Sequence, residues 1–178
     1  MIKLIVFDVY NTLFTDSHRR KGVVDFLSAN PDVRSTIYTD VLPESRSTHG
    51  TEREYISRIL EEMGVAPKLQ EPYFFGDTLK RGYKDLSAVT REFGVNVDDV
   101  VMIGDSDQDS LSAYKSHTRV IRITPLVERN SDQDLSFEVI GDVTSFLDSN
   151  LATRIDVWKG RLHIQKGSYK ELGFDRRR

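Results

Sequence analysis

The sequence predicts a three-layer α/β fold, in which a parallel sheet carries helices on both faces. Three observations predict it: short apolar runs typical of buried strands, amphipathic segments between them, and acidic residues directly after two of the runs. The 178 residues are enough for one domain of ordinary size. Apolar residues make up 38% of the chain, which supplies a core and excludes a disordered protein.

The N-terminal part of the chain alternates strand and helix patterns. Residues 2–7 are apolar except for one lysine, which predicts a strand buried on both faces. Residues 22–29 predict a short helix that ends before Pro31, because the residue preceding a proline disfavours helical geometry. Residues 35–38 predict a second strand.

A longer helix is predicted to begin at Thr51. Thr51 and Glu54 stand at capping-box spacing, an apolar stripe follows, and Gly64 ends the pattern. The same alternation continues to residue 150. It predicts helices at 84–93, at 109–114 and after 143, and strands at 73–75, 100–103, 120–123 and 139–140.

The last part of the chain differs in character. Residues 155–158 and 162–164 flank a Lys-Gly pair, which predicts a C-terminal hairpin. We therefore divide the chain into a core at 1–150 and an appendage at 151–178 that ends in a basic tail.

Composition excludes several function classes. Without cysteine there are no disulfides, cysteine-ligated metals or thiol nucleophiles. A net charge of -3 argues against nucleic-acid or membrane-surface binding, so neither is expected as a partner. No apolar run approaches the roughly 20 residues that span a bilayer, and no signal-peptide pattern is seen. A cytoplasmic protein is the expectation.

Carboxylates follow two of the predicted strands. Asp8 ends the first, Asp105 follows the strand at 100–103, and Asp109 lies one helical turn beyond Asp105. Ligands of open parallel sheets bind at the carboxyl ends of the strands. Close carboxylates repel one another unless a cation lies between them, and a hard divalent ion prefers oxygen ligands. The pattern predicts a magnesium site.

These motifs resemble those of the haloacid dehalogenase (HAD) superfamily of hydrolases, whose fold is a Rossmann-like sheet. The first motif reads VFDVYNTLF over residues 6–14, and the last acidic motif reads MIGDSDQD over 102–109. Thr39, at a strand end, is similar to the second motif. Lys84 is similar to the third, with Lys80 as a competitor.

The resemblance implies that Asp8 is a nucleophile that attacks phosphorus and forms an aspartyl-phosphate. Magnesium would offset the repulsion between this anion and an anionic substrate. The implied metal ligands are Asp8, the backbone carbonyl of Tyr10, Asp105 and Asp109.

The resemblance also implies a phosphate-binding set. Thr39 would donate a hydrogen bond to a phosphoryl oxygen, and Lys84 would neutralise charge and hold Asp8 in place. Asn11 occupies the position that usually carries glycine, and asparagine tolerates left-handed geometry better than most residues.

Tyr10 departs from the family pattern. Phosphatases of the superfamily usually carry a second aspartate there, which acts as general acid and then base. Tyrosine has a reference pKa near 10, so phosphatase activity would be slow or would need another proton donor. A tyrosine at this position of the first motif resembles the 2-haloacid dehalogenases, whose reaction needs no metal.

Short spacings between the motifs imply an open site without a large cap domain. Thirty residues separate Asp8 from Thr39, and 44 separate Thr39 from Lys84. Family members of this kind accept bulky substrates or borrow a neighbouring subunit, so a homo-oligomer is a hypothesis. The interpretation is a magnesium-dependent phosphatase acting on a small phosphorylated substrate. A 2-haloacid dehalogenase-like hydrolase, or a catalytically weakened binding protein, is the alternative.

Overall fold

The computed structural model describes residues 2–15, 19–20, 22–40, 51–76, 78–122, 151–158 and 161–168. Its described strands form one sheet in the order β3-β2-β1-β4-β5-β6-β7. Neighbouring strands from β3 through β6 are parallel, and the last pair is antiparallel. The predicted α/β class with a parallel sheet is confirmed. The strands are β1 Leu4–Phe7, β2 Arg34–Thr39, β3 Phe74–Phe75, β4 Val100–Gly104, β5 Arg119–Arg122, β6 Leu151–Trp158 and β7 Arg161–Ser168.

Five α-helices occur in the described parts of the chain. They are α1 Val23–Ala29, α2 Glu52–Glu62, α3 Thr78–Arg81, α4 Leu86–Phe93 and α5 Asp107–Lys115. The capping box predicted at Thr51 is present, because the Thr51 side chain accepts from the Glu54 N–H and the Glu54 carboxylate accepts from the Thr51 N–H. The short helix α3 has no counterpart in the sequence prediction, since four residues are too few to show a period.

One predicted helix boundary is wrong. The sequence predicts that Lys84 opens the helix at 84–93, but α4 begins at Leu86 and its N-cap is Asp85. The Asp85 carboxylate accepts a hydrogen bond from the Ser87 N–H, which makes aspartate a better cap than lysine. Lys84 therefore lies in the connection between α3 and α4.

The two faces of the sheet bury separate hydrophobic cores. Ile5 and Phe7 of β1 pack with α1 and α2, whereas Leu4 and Val6 pack with α4 and α5. Successive side chains of a strand point to opposite faces, so an uninterrupted apolar run covers both. Helices on both faces hold the central strands rigidly, and the strand ends are positioned with them.

The predicted C-terminal hairpin is present. β6 and β7 pair along their full length, from Leu151 opposite Ser168 to Trp158 opposite Arg161. β6 also pairs in parallel with β5 through Arg122 and Arg154, so the hairpin continues the sheet. The strand predicted at 139–140 and the helix predicted after 143 lie outside the described residues.

In the described part of the chain, no helix is long and apolar enough to cross a bilayer.

Candidate active site

Three buried carboxylates meet at the carboxyl edge of the central strands. Asp8 directly follows β1 and Asp105 directly follows β4, and these strands are paired neighbours. The Asp8 N–H donates to the Ile103 carbonyl at 2.8 Å, which ties the two strand ends together. Asp109 comes from the first turn of α5. One carboxylate oxygen of each of these residues lies within 4.8 Å of the others, and all three side chains are buried.

This donor set fits a divalent cation. Three carboxylates supply hard oxygen ligands, and their mutual repulsion is relieved when a cation lies among them. Asp8, Asp105 and Asp109 are 7%, 8% and 0% exposed, so water alone does not screen their charges. The acids that the sequence places at separate strand ends are therefore brought together into one cluster.

The Lys84 ammonium lies against two of these carboxylates. Its Nζ lies 2.5 Å from Asp8 Oδ1 and 2.6 Å from Asp109 Oδ1, and the residue is 1% exposed. Its backbone N–H donates to Ser112 Oγ at 2.7 Å, so α5 fixes the loop that carries it. The ammonium thus orients two of the three carboxylates.

The turn after β1 is held by polar contacts to its backbone. Asn11 has a φ of 58°, the left-handed geometry that asparagine tolerates. The buried guanidinium of Arg20 donates to the carbonyls of Thr12 and Asn11, the latter at 3.2 Å. Thr12 Oγ1 lies 3.1 Å from both Asp8 Oδ2 and Asp105 Oδ1, so its single proton serves one carboxylate at a time.

The turn after β4 is shaped by Asp109. A Cβ at Gly104 would lie 2.2 Å from Asp109 Oδ2, so only glycine fits beneath this carboxylate. Ser106 is the N-cap of α5: its Oγ donates to Asp109 Oδ2 at 2.6 Å and accepts from the Asp109 N–H at 3.2 Å. The same Ser106 hydroxyl therefore caps α5 and positions the Asp109 carboxylate.

Burial sets the protonation of these groups. Burial raises the pKa of Asp8 to about 7, although the Lys84 ammonium opposes the change. Burial alone would lower the pKa of Lys84, but the carboxylates of Asp109 and Asp8 outweigh it and raise that pKa above its usual value. Lys84 is therefore charged at neutral pH, and Asp8 is poised to exchange its proton for a cation.

Thr39 lies at the end of β2 and Tyr10 in the turn after β1, and their contacts differ. Thr39 ends β2, is fully buried, and donates through Oγ1 to the Asp40 carbonyl at 3.3 Å. The Tyr10 ring packs edge-on against Phe14 at 5.4 Å between centroids, and its hydroxyl donates to Glu52 Oε1 at 3.3 Å. Lys80, the competitor of Lys84, lies in α3.

Three residues around the site, Ser106, Arg20 and Glu52, have no role in the sequence prediction. Ser106 and Asp109 stand at capping-box spacing, which is a readable signal. Arg20 and Glu52 carry none, because a charged residue in a sequence is expected to be exposed. Both are buried here, at 3% and 5% exposure.

Solved structures share this arrangement of elements at low sequence identity. An uncharacterized protein from Listeria monocytogenes serotype 4b is 16% identical, with a TM-score of 0.53 over 81% of this chain and 96% of that chain. A HAD-superfamily hydrolase of subfamily IA from Geobacter sulfurreducens PCA is 12% identical, with a TM-score of 0.50 over 71% of this chain and 92% of that chain. A haloacid dehalogenase-like family protein from Streptococcus pneumoniae is 12% identical, with a TM-score of 0.51 over 69% and 85%.

No protein-family model and no curated protein matches the chain. The structural likeness concerns the fold, since every identity quoted is below one in five. The chain therefore has the α/β fold found in HAD-superfamily hydrolases.

Proposed function

We propose that the protein is a magnesium-dependent phosphatase that acts through an aspartyl-phosphate on Asp8. One observation carries the proposal: the Asp8 carboxylate is held by Lys84 at 2.5 Å inside a buried cluster of three acids. Such a cluster is costly for a structural role alone, because buried like charges repel. A bound divalent cation together with an anionic substrate gives it a chemical reason.

The chain's own residues supply the nucleophile and its orientation. Asp8 attacks phosphorus and the leaving-group oxygen departs, which splits one difficult displacement into two steps. Lys84 and Thr12 hold the two oxygens of Asp8, so its attack direction is set before substrate arrives. Thr39 and Lys84, together with Asn11, bind the phosphoryl oxygens.

Asp8, Asp105, Asp109 and the Tyr10 carbonyl would hold Mg²⁺. The ion supplies charge neutralisation between the nucleophile and the phosphoryl group. The substrate is a small phosphorylated molecule that enters an open site of the capless type, and a second copy of the chain is a candidate lid. The protein acts in the cytoplasm.

A metal-independent 2-haloacid dehalogenase is the second candidate, and Tyr10 is the observation that favours it. Asp8 would then attack carbon, and the departing halide would need no proton. Asp105 and Asp109 would have no role in that reaction, which is why phosphoryl chemistry is preferred. The complete set of Asp8, Thr39, Lys84, Asp105 and Asp109 favours an enzyme over a binding protein.

We expect the protein to hydrolyse 4-nitrophenyl phosphate with Mg²⁺ and to lose this activity to background in Asp8→Asn, because an amide is not a carboxylate nucleophile. Release of nitrophenolate with Mg²⁺ and with EDTA measures it. Asp32→Asn, an exposed substitution of the same chemistry, is the matched control and should behave as wild type. Halide release from 2-chloropropionate in EDTA would instead select the dehalogenase, and no turnover of either compound would select the binding protein.

A further inference from the structure

A phosphatase needs a general acid that protonates the leaving group, and tyrosine at position 10 is a poor acid for this purpose. When an alkyl phosphate is cleaved, the departing alkoxide is a poor leaving group unless a positioned acid protonates it. A tyrosine phenol has a reference pKa near 10, and here the Tyr10 hydroxyl donates to Glu52. The site therefore needs its proton from another side chain.

Asp40 is a carboxylic acid at the carboxyl end of β2. It follows Thr39, the last residue of β2, and β2 is the parallel neighbour of β1. The strands pair Leu4 with Arg34 through Phe7 with Ile37. The pairing ends at Phe7 and Ile37, so Tyr10 and Asp40 each lie three residues past its last pair, at the carboxyl ends of neighbouring strands. A carboxyl group is thus available one strand away from the position of the tyrosine.

The surroundings of the Asp40 carboxyl group connect it to the site. Its Oδ1 atom is buried and has no hydrogen-bond partner among the residues that the structure describes. The Thr78 backbone N–H donates to the same carboxyl group, and Lys84, Asp109 and Glu52 lie within electrostatic reach. The half-buried side chain therefore has one held contact and one buried oxygen whose hydrogen-bonding capacity no described residue meets.

We propose that Asp40 is the general acid and base of the reaction, an inference that rests on the phosphatase function proposed above. In the first step the Asp40 carboxyl proton passes to the leaving-group oxygen as the bond from that oxygen to phosphorus breaks and the Asp8–phosphorus bond forms. In the second step the Asp40 carboxylate takes a proton from water as the water oxygen bonds to phosphorus. The Asp8–phosphorus bond then breaks and releases phosphate.

The electrostatics support the first of these roles. Burial raises the pKa of Asp40, and Asp109 and Glu52 raise it further, whereas the Lys84 ammonium and the Thr78 N–H lower it. The net effect is upward, so the carboxyl group keeps its proton to higher pH than an exposed aspartate does. Those four groups come from α5, α2, the α3–α4 connection and α3.

The test compares two monoesters that differ in their need for a proton. Ethyl phosphate has an alkoxide leaving group, and 4-nitrophenyl phosphate has a stabilised phenolate. In Asp40→Asn we expect the single-turnover rate on ethyl phosphate to fall by about 10²–10⁴-fold. The nitrophenolate burst should keep its amplitude of about one equivalent per site, and its rate should fall far less than the rate on ethyl phosphate. The later steady-state phase of nitrophenolate release should slow.

A double variant separates chemistry from structure. Tyr10→Asp added to Asp40→Asn returns a carboxyl group to the site and should recover ethyl phosphate turnover. Asp32→Asn is the exposed control for the loss of one carboxylate. Equal losses on both esters in Asp40→Asn, with no recovery in a folded double variant, would show a structural role for Asp40 and overturn the proposal.

Wild-type protein supplies a measurement that needs no variant. The single-turnover rate on ethyl phosphate should fall as pH rises and Asp40 loses its proton. The nitrophenolate burst rate should show no such fall over the same pH range. Identical pH profiles for the two esters would refute the assignment. A wild-type protein inactive on both esters with Mg²⁺ would refute the phosphatase itself, whereas active protein insensitive to Asp40→Asn would refute the role of Asp40 alone.

Discussion

Lys84 shows what a single buried charge does in this protein. Its ammonium is 1% exposed and is compensated by Asp8 and Asp109 at 2.5 and 2.6 Å. Removing one partner of a buried ion pair costs about 3–5 kcal/mol, because the other charge is left without compensation. Lysine and acids therefore depend on one another for folding, and the nucleophile is positioned by the same contacts.

The stability of the metal-free protein should decrease as pH rises from about 4 to about 7. The pKa of Asp8 is about 7 in the folded protein and near 3.9 in an unfolded chain, so the folded state binds more protons in this window. The free energy of unfolding should fall by on the order of a few kcal/mol. Urea denaturation in EDTA at several pH values measures it.

Asp8→Asn is the control for this slope, since the amide does not titrate. The remaining slope of that variant should be smaller, with Asp40 contributing to it in the same direction. Mg²⁺ should stabilise wild type more at pH 8 than at pH 5, because protons compete with the metal for the carboxylates. Stability that is flat or rising across the window would contradict a burial effect on Asp8 that exceeds the effect of Lys84.

At the scale of elements, two helices begin with the same device but serve different ends. Thr51 caps α2 and Ser106 caps α5, each with a reciprocal bond from the acid three residues later. The acid is exposed Glu54 in α2 and fully buried Asp109 in α5. Only the second cap also positions a candidate metal ligand.

Ser106→Ala and Thr51→Ala should each destabilise the protein by about 1 kcal/mol, since each removes an N-cap acceptor. Their effects on Mg²⁺ should differ. Ser106→Ala also removes the donor 2.6 Å from Asp109 Oδ2, so it should weaken Mg²⁺ binding by about 10-fold or more. Urea denaturation and titration calorimetry measure the two effects. Equal Mg²⁺ affinity in the two variants would mean that the Ser106 contact does not orient Asp109.

At the scale of the whole molecule, the sheet separates the site from the C-terminal hairpin. The acids and Lys84 gather at the carboxyl edge of the central strands, from sequence positions about 100 residues apart. The hairpin occupies one end of the strand order, beyond β5. The proposed site and the hairpin that pairs with the edge of β5 thus lie in different parts of one sheet.

A protein shortened to residues 1–150 should keep Mg²⁺-dependent hydrolysis of 4-nitrophenyl phosphate, because every proposed site residue precedes residue 110. It should also self-associate more, since the edge of β5 loses its paired neighbour β6. Light scattering and the nitrophenolate assay measure the two properties. A shortened chain that fails to fold would show that residues 151–168 are part of the core and would remove the proposed division.

Much of this architecture is readable from local sequence. The runs at 2–7 and 100–103 predicted β1 and β4, and Thr51 with Glu54 predicted the start of α2, because these signals depend on residues adjacent in the chain. Helix α3 and the start of α4 were not readable. A four-residue helix is too short to show a periodic pattern. The start of α4 was placed at Lys84, one residue before the N-cap Asp85.

The sequence by itself determined the fold class, the order of the described strands and helices apart from α3, and the acids that follow β1 and β4. Only the tertiary structure decided that Lys84 lies between Asp8 and Asp109, and that Asp40 and Glu52 are close to one another beside the site. The reason is physical: periodicity and capping act over a few residues. Distances between groups 25 to 76 positions apart depend on strand register and on the packing of helices against both faces of the sheet.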